Sequence, residues 1–292
     1  MNKNDLISLG MNCEVSFQIE KYLGKIEASL FSWAFIENEE LFLNALNNID
    51  DIFSSKISFA AQTEDMFWCE QYRIAFHGRT NKKLMLDDNN NIINETLYNE
   101  CISELKTRID YLKIKFKKQL EAKEKTVFIK KLDVNHDISR AEKIIKALYD
   151  YFTQNSKYGN WQLVIVVESA YSNNLQHLQN EKLFIYPVAF FAPADNTRDG
   201  ADNESWKAII MDALYDNLKQ NIENIYYNDI EQVREYQTKC LQYEFELQKL
   251  KLLLAEKDKW INELQEGKAW LERQYLELIQ LPEEARQKIS KQ

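Results

Sequence analysis

The chain has 292 residues, of which 45% are hydrophobic and 12% aromatic, so it can bury the core of one large domain. Its formal net charge of −9 disfavours nucleic acid as the main partner, because a nucleic-acid-binding surface needs an excess of basic residues. The apolar runs are all shorter than the ~18–20 residues of a membrane span, and no apolar signal core follows the N-terminus. We therefore expect a cytoplasmic protein without a membrane span.

Apolar and amphipathic patterns along the chain predict alternating strands and helices. Four apolar runs are typical of buried strands: Leu6–Leu9, Thr126–Ile129, Gln162–Val167 and Leu183–Phe191. Helical periodicity covers Glu14–Tyr22, Glu39–Asn47, Glu95–Leu120, Ser139–Thr153 and Trp206–Lys219. This alternation predicts an α/β fold with a mostly parallel, Rossmann-like layered sheet and flanking helices. Residues 53–79 fit the alternation poorly, and we expect short extra strands or a long loop there.

The last fifth of the chain has a heptad repeat of apolar residues that starts at Val233. Only Lys257 and Lys268 interrupt the apolar a and d positions up to Leu278, and Pro282 ends the pattern. The pattern predicts a globular domain over 1–225, a coiled coil over 229–281 and a short tail over 282–292. The coiled coil would form a homo-oligomer or bind a partner protein. The alternative is a long helix that folds back on the globular domain.

Cys13 is the strongest candidate for chemistry, because it follows Gly10 and Asn12 at the turn between the first predicted strand and the first predicted helix. Backbone N–H groups and the helix dipole at such a turn favour a nucleophilic thiolate. The neighbouring Glu14 acts in the opposite direction, because a nearby carboxylate raises the pKa of a thiol. The same turn could instead hold a phosphate or a sugar, with the thiol in a structural role.

A nucleophilic cysteine needs a base, and the chain has three histidines. His77 follows an alternating apolar stretch and precedes a glycine, which predicts the end of a strand. His136 follows the second buried strand, at the sheet edge where Cys13 is also expected. The sequence does not decide between His77 and His136 as the base, and His177 is expected in solvent.

Other residues near these positions could contact a substrate. Arg79 stands close to His77, and Lys130 ends the second buried strand, so both could bind a phosphate or a carboxylate. Trp33 could stack on a sugar or a base. The chain has no Walker loop, and it has one glycine where a dinucleotide fingerprint has three, so we expect no cofactor. Its four widely spaced cysteines predict free thiols and no metal site.

Three short motifs stand in the first third of the chain: Ile7-Ser-Leu-Gly-Met-Asn-Cys13, Ser29-Leu-Phe-Ser-Trp33 and Phe76-His77. Together they resemble the motifs of a bacterial domain family that is named for papain-like cysteine peptidases. The resemblance implies that Cys13 is the nucleophile and that His77 is the base. Ser32 stands where the family usually has an aspartate, and with Trp33 it is a candidate for substrate contact.

Two catalytic functions and one non-catalytic function remain open. The first is a cysteine hydrolase in which Cys13 and His77 act on a carbonyl. The second is a glycosyltransferase-like domain that binds a sugar or a nucleotide sugar, because residues 259–272 resemble coiled-coil segments of enzymes that build bacterial surface polysaccharides. A mainly parallel sheet would favour the second function, since a papain-like fold packs its nucleophile helix on an antiparallel sheet. The third is an assembly module whose coiled coil is the functional part.

Overall fold

The computed structural model describes residues 5–24, 28–60, 63–87, 91–194 and 196–215, together with 257, 260–261, 264–272 and 274–275. The chain divides into two compact units, Met1–Ile225 and Tyr226–Gln292. Most of the predicted coiled coil, the predicted tail and the predicted helix beyond Tyr215 lie outside the described residues. Within the second unit, residues 264–272 are helical. Among the described helices, none is both long and apolar enough to cross a membrane.

The described part of the first unit folds into two β-sheets with α-helices around them. The strands are β1 (Asp5–Ser8), β2 (Ala34–Ile36), β3 (Ile57–Phe59), β4 (Met66–Cys69), β5 (Ile74–His77), β6 (Thr126–Lys131), β7 (Trp161–Glu168) and β8 (Leu183–Val188). The helices are α1 (Glu14–Leu23), α2 (Glu39–Asn47), α3 (Glu95–Leu120), α4 (Ile138–Asn155), α5 (Ser169–Leu175) and α6 (Asn203–Tyr215). The short helix α5 is not predicted by the sequence pattern.

The first sheet is parallel throughout, with the strand order β1-β6-β7-β8. Its strands are the four predicted apolar runs, and they are buried because other elements cover both faces. On one face, α1 and α6 contribute Val15 and Trp206 to an apolar cluster with the strands. On the other face, α3 and α4 contribute Phe116 and Phe152 to the larger core. The predicted α/β fold, with a parallel sheet and flanking helices, is confirmed.

The extra strands expected within 53–79 form a second, antiparallel sheet together with β2. Its strand order is β2-β5-β4-β3. The strands are only three or four residues long, which is too short for a clear periodicity. One face joins the larger core through Phe67 and Phe76. The opposite face carries a separate apolar cluster that includes Met66, Trp68 and Ala75.

The turn after β1 connects the two sheets. Met11 forms a parallel bridge with Phe35, and the Met11 carbonyl accepts a hydrogen bond of 2.9 Å from the N–H of Ile36. Gly10 has a φ of +76°, and a Cβ on it would lie 2.9 Å from a backbone carbonyl oxygen. The positive φ and the close approach both require a glycine. The turn thereby places Cys13 at the end of the second sheet.

Candidate active site

Cys13 and His77 come together where the two sheets meet. Cys13 is the N-cap residue of α1, directly after the turn, and His77 is the last residue of β5. The Sγ atom of Cys13 lies 3.6 Å from Nε2 of His77, which is within hydrogen-bond range for sulfur. Cys13 is partly buried, and 38% of the His77 side chain is exposed. A substrate can therefore approach the pair from solvent.

A carboxylate completes the arrangement. Both carboxylate oxygens of Asp65 lie 3.0 Å from Nδ1 of His77. Because an ionised carboxylate only accepts hydrogen bonds, we assign the proton of the neutral imidazole to Nδ1. Nε2 is then the acceptor that faces the Cys13 thiol. Cys13, His77 and Asp65 therefore have the order of a nucleophile, a base and a group that orients the base.

No sequence motif marks Asp65, because it reaches His77 only through the register in which β4 pairs with β5. In that register Met66 is opposite His77, and Asp65 is the residue just before Met66. Gly78 packs closely at this point: its N–H donates to the Asp65 carbonyl, and a Cβ on it would lie 2.8 Å from the ring of Phe67. The sequence offers only a weak sign of this contact: Asp65 directly precedes one apolar run, and His77-Gly78 ends the next one.

The Cys13 thiol is protonated at neutral pH. Burial, and secondly the negative charge of Asp65, raise the pKa of the Cys13 thiol to about 11. Burial therefore opposes the thiolate form that the helix start would favour. A reaction at Cys13 needs a base at the moment of attack, and Nε2 of His77 is within reach of the thiol proton.

Glu14 directly follows Cys13, but its carboxylate points into the protein and forms an ion pair with Lys131. Its side chain is fully buried and lies 2.6 Å from Nζ of Lys131 and 2.9 Å from Nε1 of Trp206. The N–H of Ala192 also donates to it, at 3.2 Å. These contacts hold the first turn of α1, and with it Cys13, against β6 and α6.

His136 has a different partner from the one that the sequence analysis allowed. It follows β6 at the carboxyl edge of the parallel sheet, as predicted, but its Nδ1 lies 2.7 Å from the hydroxyl of Tyr171. The two rings also pack edge-on, with centroids 5.5 Å apart. Cys13 instead contacts His77, which lies on the second sheet. Of the two histidines that the sequence leaves open as the base, His77 is thus the one that contacts Cys13, and His136 bonds to Tyr171 instead.

Ser32 has structural contacts in place of the predicted contact with a substrate, whereas Asn12 has one structural contact and is half-buried, so its contact with a substrate stays a prediction. Ser32 is buried, and its hydroxyl accepts a hydrogen bond of 2.9 Å from the N–H of Ser29. The Ser32 carbonyl accepts another from the hydroxyl of Ser16, which fixes the turn before β2 against α1. Asn12 accepts a hydrogen bond of 3.0 Å from the N–H of Glu14, so it satisfies a free donor at the start of α1.

Trp33 remains beside the candidate site. Its ring packs edge-on against Phe17, with centroids 5.0 Å apart. Phe17 is four residues after Cys13 on α1 and therefore lies on the same face of the helix. Trp33 is half-buried, so part of its ring can reach a substrate. Its stacking on a sugar or a base stays a prediction.

Lys130 lies inside the protein, so the prediction that it binds a substrate is wrong. Its side chain is fully buried, with Nζ 2.8 Å from Oε1 of Glu39 and 4.8 Å from the ring centroid of Phe42. Burial lowers the pKa of Lys130, against the opposing effect of Glu39. The lysine satisfies a buried carboxylate, and no part of it reaches the surface.

Arg79 is exposed and lines a small cavity with Cys101 and Arg108. The guanidinium of Arg108 donates to the backbone carbonyl of His77. Burial, and secondly the positive charge of Arg79, lower the pKa of Arg108. Arg79 is thus close to the residue that supports His77, and its contact with a substrate stays a prediction.

Comparison with known proteins provides no family assignment. No family model matches the chain, and neither a curated protein nor a solved structure matches it. The resemblance to the papain-like family therefore stays a prediction, and the geometry of the candidate site carries the functional argument.

Proposed function

We propose that the first unit is a cysteine hydrolase or acyltransferase that acts on an ester, thioester or amide carbonyl. The observation that carries this proposal is the series of contacts from Cys13 through His77 to Asp65, at 3.6 Å and 3.0 Å. Nucleophilic catalysis requires these three roles in any fold. The proposal keeps the chemistry of the papain-like family and not its architecture, because the helix that follows Cys13 packs on a parallel sheet.

In the proposed reaction, Sγ of Cys13 attacks the substrate carbonyl while Nε2 of His77 takes the thiol proton. The S–C bond forms, the bond from the carbonyl carbon to the leaving group breaks, and His77 gives the proton to the leaving group. Asp65 stabilises the imidazolium that exists between these steps. Water or another acceptor then attacks the thioester with His77 as base, which restores the thiol. We place the reaction in the cytoplasm, because the thiol must stay reduced.

The start of α1 offers a site for the oxyanion of the tetrahedral intermediate. The N–H groups in the first turn of a helix have no acceptor within the helix, and the dipole adds positive potential there. Asn12 already accepts the N–H of Glu14. We therefore assign the oxyanion contact to the backbone N–H of Cys13, at the N-cap position.

Acetylation by p-nitrophenyl acetate tests the proposal without knowledge of the natural substrate. At pH 7, a thiol with a pKa of about 11 and no base should react more slowly than N-acetylcysteine, because its thiolate is rarer. With His77 as base, Cys13 should instead react about 100-fold faster than N-acetylcysteine. The absorbance of p-nitrophenol gives the rate, and peptide mass spectrometry locates the acetyl group.

Two histidine variants provide the matched comparison for this experiment. His77→Ala should remove the acceleration, whereas His136→Ala should keep it, because His136 bonds to Tyr171 and not to the thiol. Cys13→Ala should remove both the acetyl group and the fast release of p-nitrophenol. Equal rates for the wild type and His77→Ala, or a Cys13 slower than N-acetylcysteine, would contradict the proposal.

The alternative of a sugar-nucleotide-binding domain has weaker support. A parallel sheet suits that function, but Lys130 is bonded to Glu39 and cannot neutralise a phosphate. His77 is bonded to Asp65 and faces Cys13. A thermal-shift screen with nucleotide sugars is the matching experiment. Stabilisation that survives Cys13→Ser would favour this alternative over the hydrolase.

We also propose that the second unit forms a coiled coil that joins copies of this chain or binds a partner protein. The heptad pattern supports this proposal, together with the helical residues 264–272. Leu264 and Leu271, both at d positions, are 73% and 61% exposed in the single chain. Leucines at this spacing are typical of a helix seam that needs a partner surface. Light scattering should give an oligomer for the full chain and a monomer for Leu264→Asp/Leu271→Asp; a monomeric wild type would contradict the proposal.

A further inference from the structure

The face of the second sheet that carries His77 continues with apolar residues, most of which are buried. Residues directly opposite each other in an antiparallel pair share a face. Met66 is opposite His77, and Ala75 is opposite both Trp68 and Phe35. Phe35, Met66, Trp68 and Ala75 together form a surface that we term the aromatic ledge. The aromatic ledge begins at Met66, directly opposite His77.

Phe35 is the exposed part of the aromatic ledge. It is 41% exposed, whereas the other three ledge residues are at most 8% exposed. Its ring packs edge-on against Trp68, with centroids 5.8 Å apart. Its backbone is bridged to Met11, two residues before Cys13. The ring of Phe35 is therefore the part of the ledge that a ligand can reach, on the sheet face of His77 and on the strand that is bridged to the turn before Cys13.

The end of the aromatic ledge beyond Trp68 consists of paired charged side chains. The guanidinium of Arg73 lies 4.4 Å from the ring centroid of Trp68. It donates to Glu37 at 3.1 Å and to Glu70 at 3.0 Å. The positive charge of Lys56 also acts on Glu70 and helps to lower its pKa, so the two carboxylates at this end are balanced by two positive charges. The guanidinium of Arg73 is already paired with both carboxylates and is not free to bind an acidic group.

We propose that the aromatic ledge binds an uncharged, aromatic or branched apolar side chain of the acyl group whose carbonyl Cys13 attacks. This inference rests on the proposed function and names its substrate class. The shared face with His77 places the bound side chain next to the reacting carbonyl. The exposed ring of Phe35 favours an apolar group, and it offers no hydrogen-bond or charge partner to an acidic one.

Three p-nitrophenyl esters that differ in the acyl group test the inference on the full-length chain: acetyl, phenylpropanoyl and succinyl. Each rate of Cys13 acylation is divided by the rate of the same ester with N-acetylcysteine, which removes intrinsic reactivity. In the wild type, the phenylpropanoyl ester should exceed the acetyl ester about tenfold, because its phenyl ring is removed from water. The succinyl ester should not exceed the acetyl ester.

Variants of Phe35 show whether the aromatic ledge causes this preference. Phe35→Ala should reduce the phenylpropanoyl-to-acetyl ratio to about one, and Phe35→Leu should keep most of it. Tyr158→Ala is the matched control, because Tyr158 is 46% exposed and precedes β7, at the opposite end of the parallel strands from Cys13. A ratio that is the same in the wild type and Phe35→Ala would overturn the inference, and so would a succinyl ester as fast as the phenylpropanoyl ester.

A binding measurement separates this inference from the proposed function. The fluorine NMR signal of fluorophenylpropanamide should broaden with the full-length Cys13→Ser variant and stay narrow with Cys13→Ser/Phe35→Ala. Broadening that depends on Phe35, without any acylation of Cys13 by the esters, would keep the binding site and remove the proposed chemistry. Broadening that is absent, or equal in the two variants, would overturn the inference whatever the esters show.

Discussion

Lys131 and Glu14 form a buried ion pair with an N–O distance of 2.6 Å, and Glu14 is the residue directly after Cys13. Lys131 ends β6, so the pair fixes the start of α1 to the strand beside β1. A buried pair adds little net stability, because both charges lose their hydration. Its effect is to hold the first turn of α1 in one position, and Cys13 is the cap of that turn.

Removal of one partner of this pair should be costly. We expect Lys131→Met to lower the free energy of unfolding by about 3–5 kcal/mol, because Glu14 would be left as an uncompensated buried charge. Urea unfolding followed by circular dichroism measures the change. Lys117→Met is the control, since its partner Asp50 is exposed and the loss should be less than ~1 kcal/mol. Similar losses for the two variants would show that the buried pair has no special role.

Asp65→Asn should preserve the fold and slow the reaction of Cys13. An asparagine amide can donate to Nδ1 of His77, which would move the imidazole proton to Nε2 and block acceptance of the thiol proton. We expect acetylation of Cys13 by p-nitrophenyl acetate to slow by about 100-fold or more. Glu64→Gln, at the exposed neighbouring carboxylate, should leave the rate unchanged. An Asp65→Asn variant with the wild-type rate would remove Asp65 from the site.

Alanine substitutions at two glycines with similar φ distinguish the cost of backbone strain from the cost of a steric clash. Gly10 and Gly24 have φ values of +76° and +79°, but only Gly10 has atoms close to the position of a Cβ. Gly24 has a ψ of −166°, a conformation found essentially only for glycine, so Gly24→Ala should lower the free energy of unfolding by about 1–3 kcal/mol through strain alone. Gly10→Ala should cost a further ~1–3 kcal/mol, because its Cβ would press on a backbone carbonyl. Equal losses in urea unfolding would mean that the turn can shift to accept the methyl group.

The raised pKa of Cys13 makes stability depend on pH in the alkaline range. The pKa rises from its ordinary value of 9.0 to about 11 in the folded chain, chiefly through burial. Between pH 9 and 11 the unfolded chain therefore loses the thiol proton while the folded chain keeps it, and stability falls as pH rises. The free energy of unfolding should fall more steeply for the wild type than for Cys13→Ser over this range. Parallel curves for the two proteins would contradict the raised pKa.

The larger elements of the fold could be predicted from the sequence because their patterns are long. The helices α2 and α3 begin and end at the predicted residues, and the four strands of the parallel sheet coincide with the four apolar runs. The second sheet has strands of three or four residues, and β2 pairs with β5, which lies far from it in the chain. Local patterns contain too little information for such strands.

The candidate site could be predicted in part for the same reason. The positions of Cys13 at a helix start and of His77 at a strand end follow from local patterns, and the structure has both. The position of Asp65 beside His77 depends on the hairpin register. The burial of Lys130 depends on its ion pair with Glu39, which is far from it in the sequence. Contacts of this kind arise from the packing of distant segments, and a single sequence does not contain them.

The pairing of β1 with β6 also has a consequence for the order of synthesis. β1 pairs with Thr126–Lys131, so Cys13 emerges from the ribosome long before the strand that holds its turn in place. His77 is made 64 residues after Cys13. Until both segments exist, the turn that carries Cys13 lacks the strand that supports it and the histidine that contacts its thiol. The supported turn and its contact with His77 can therefore be completed only once translation has passed the sixth strand.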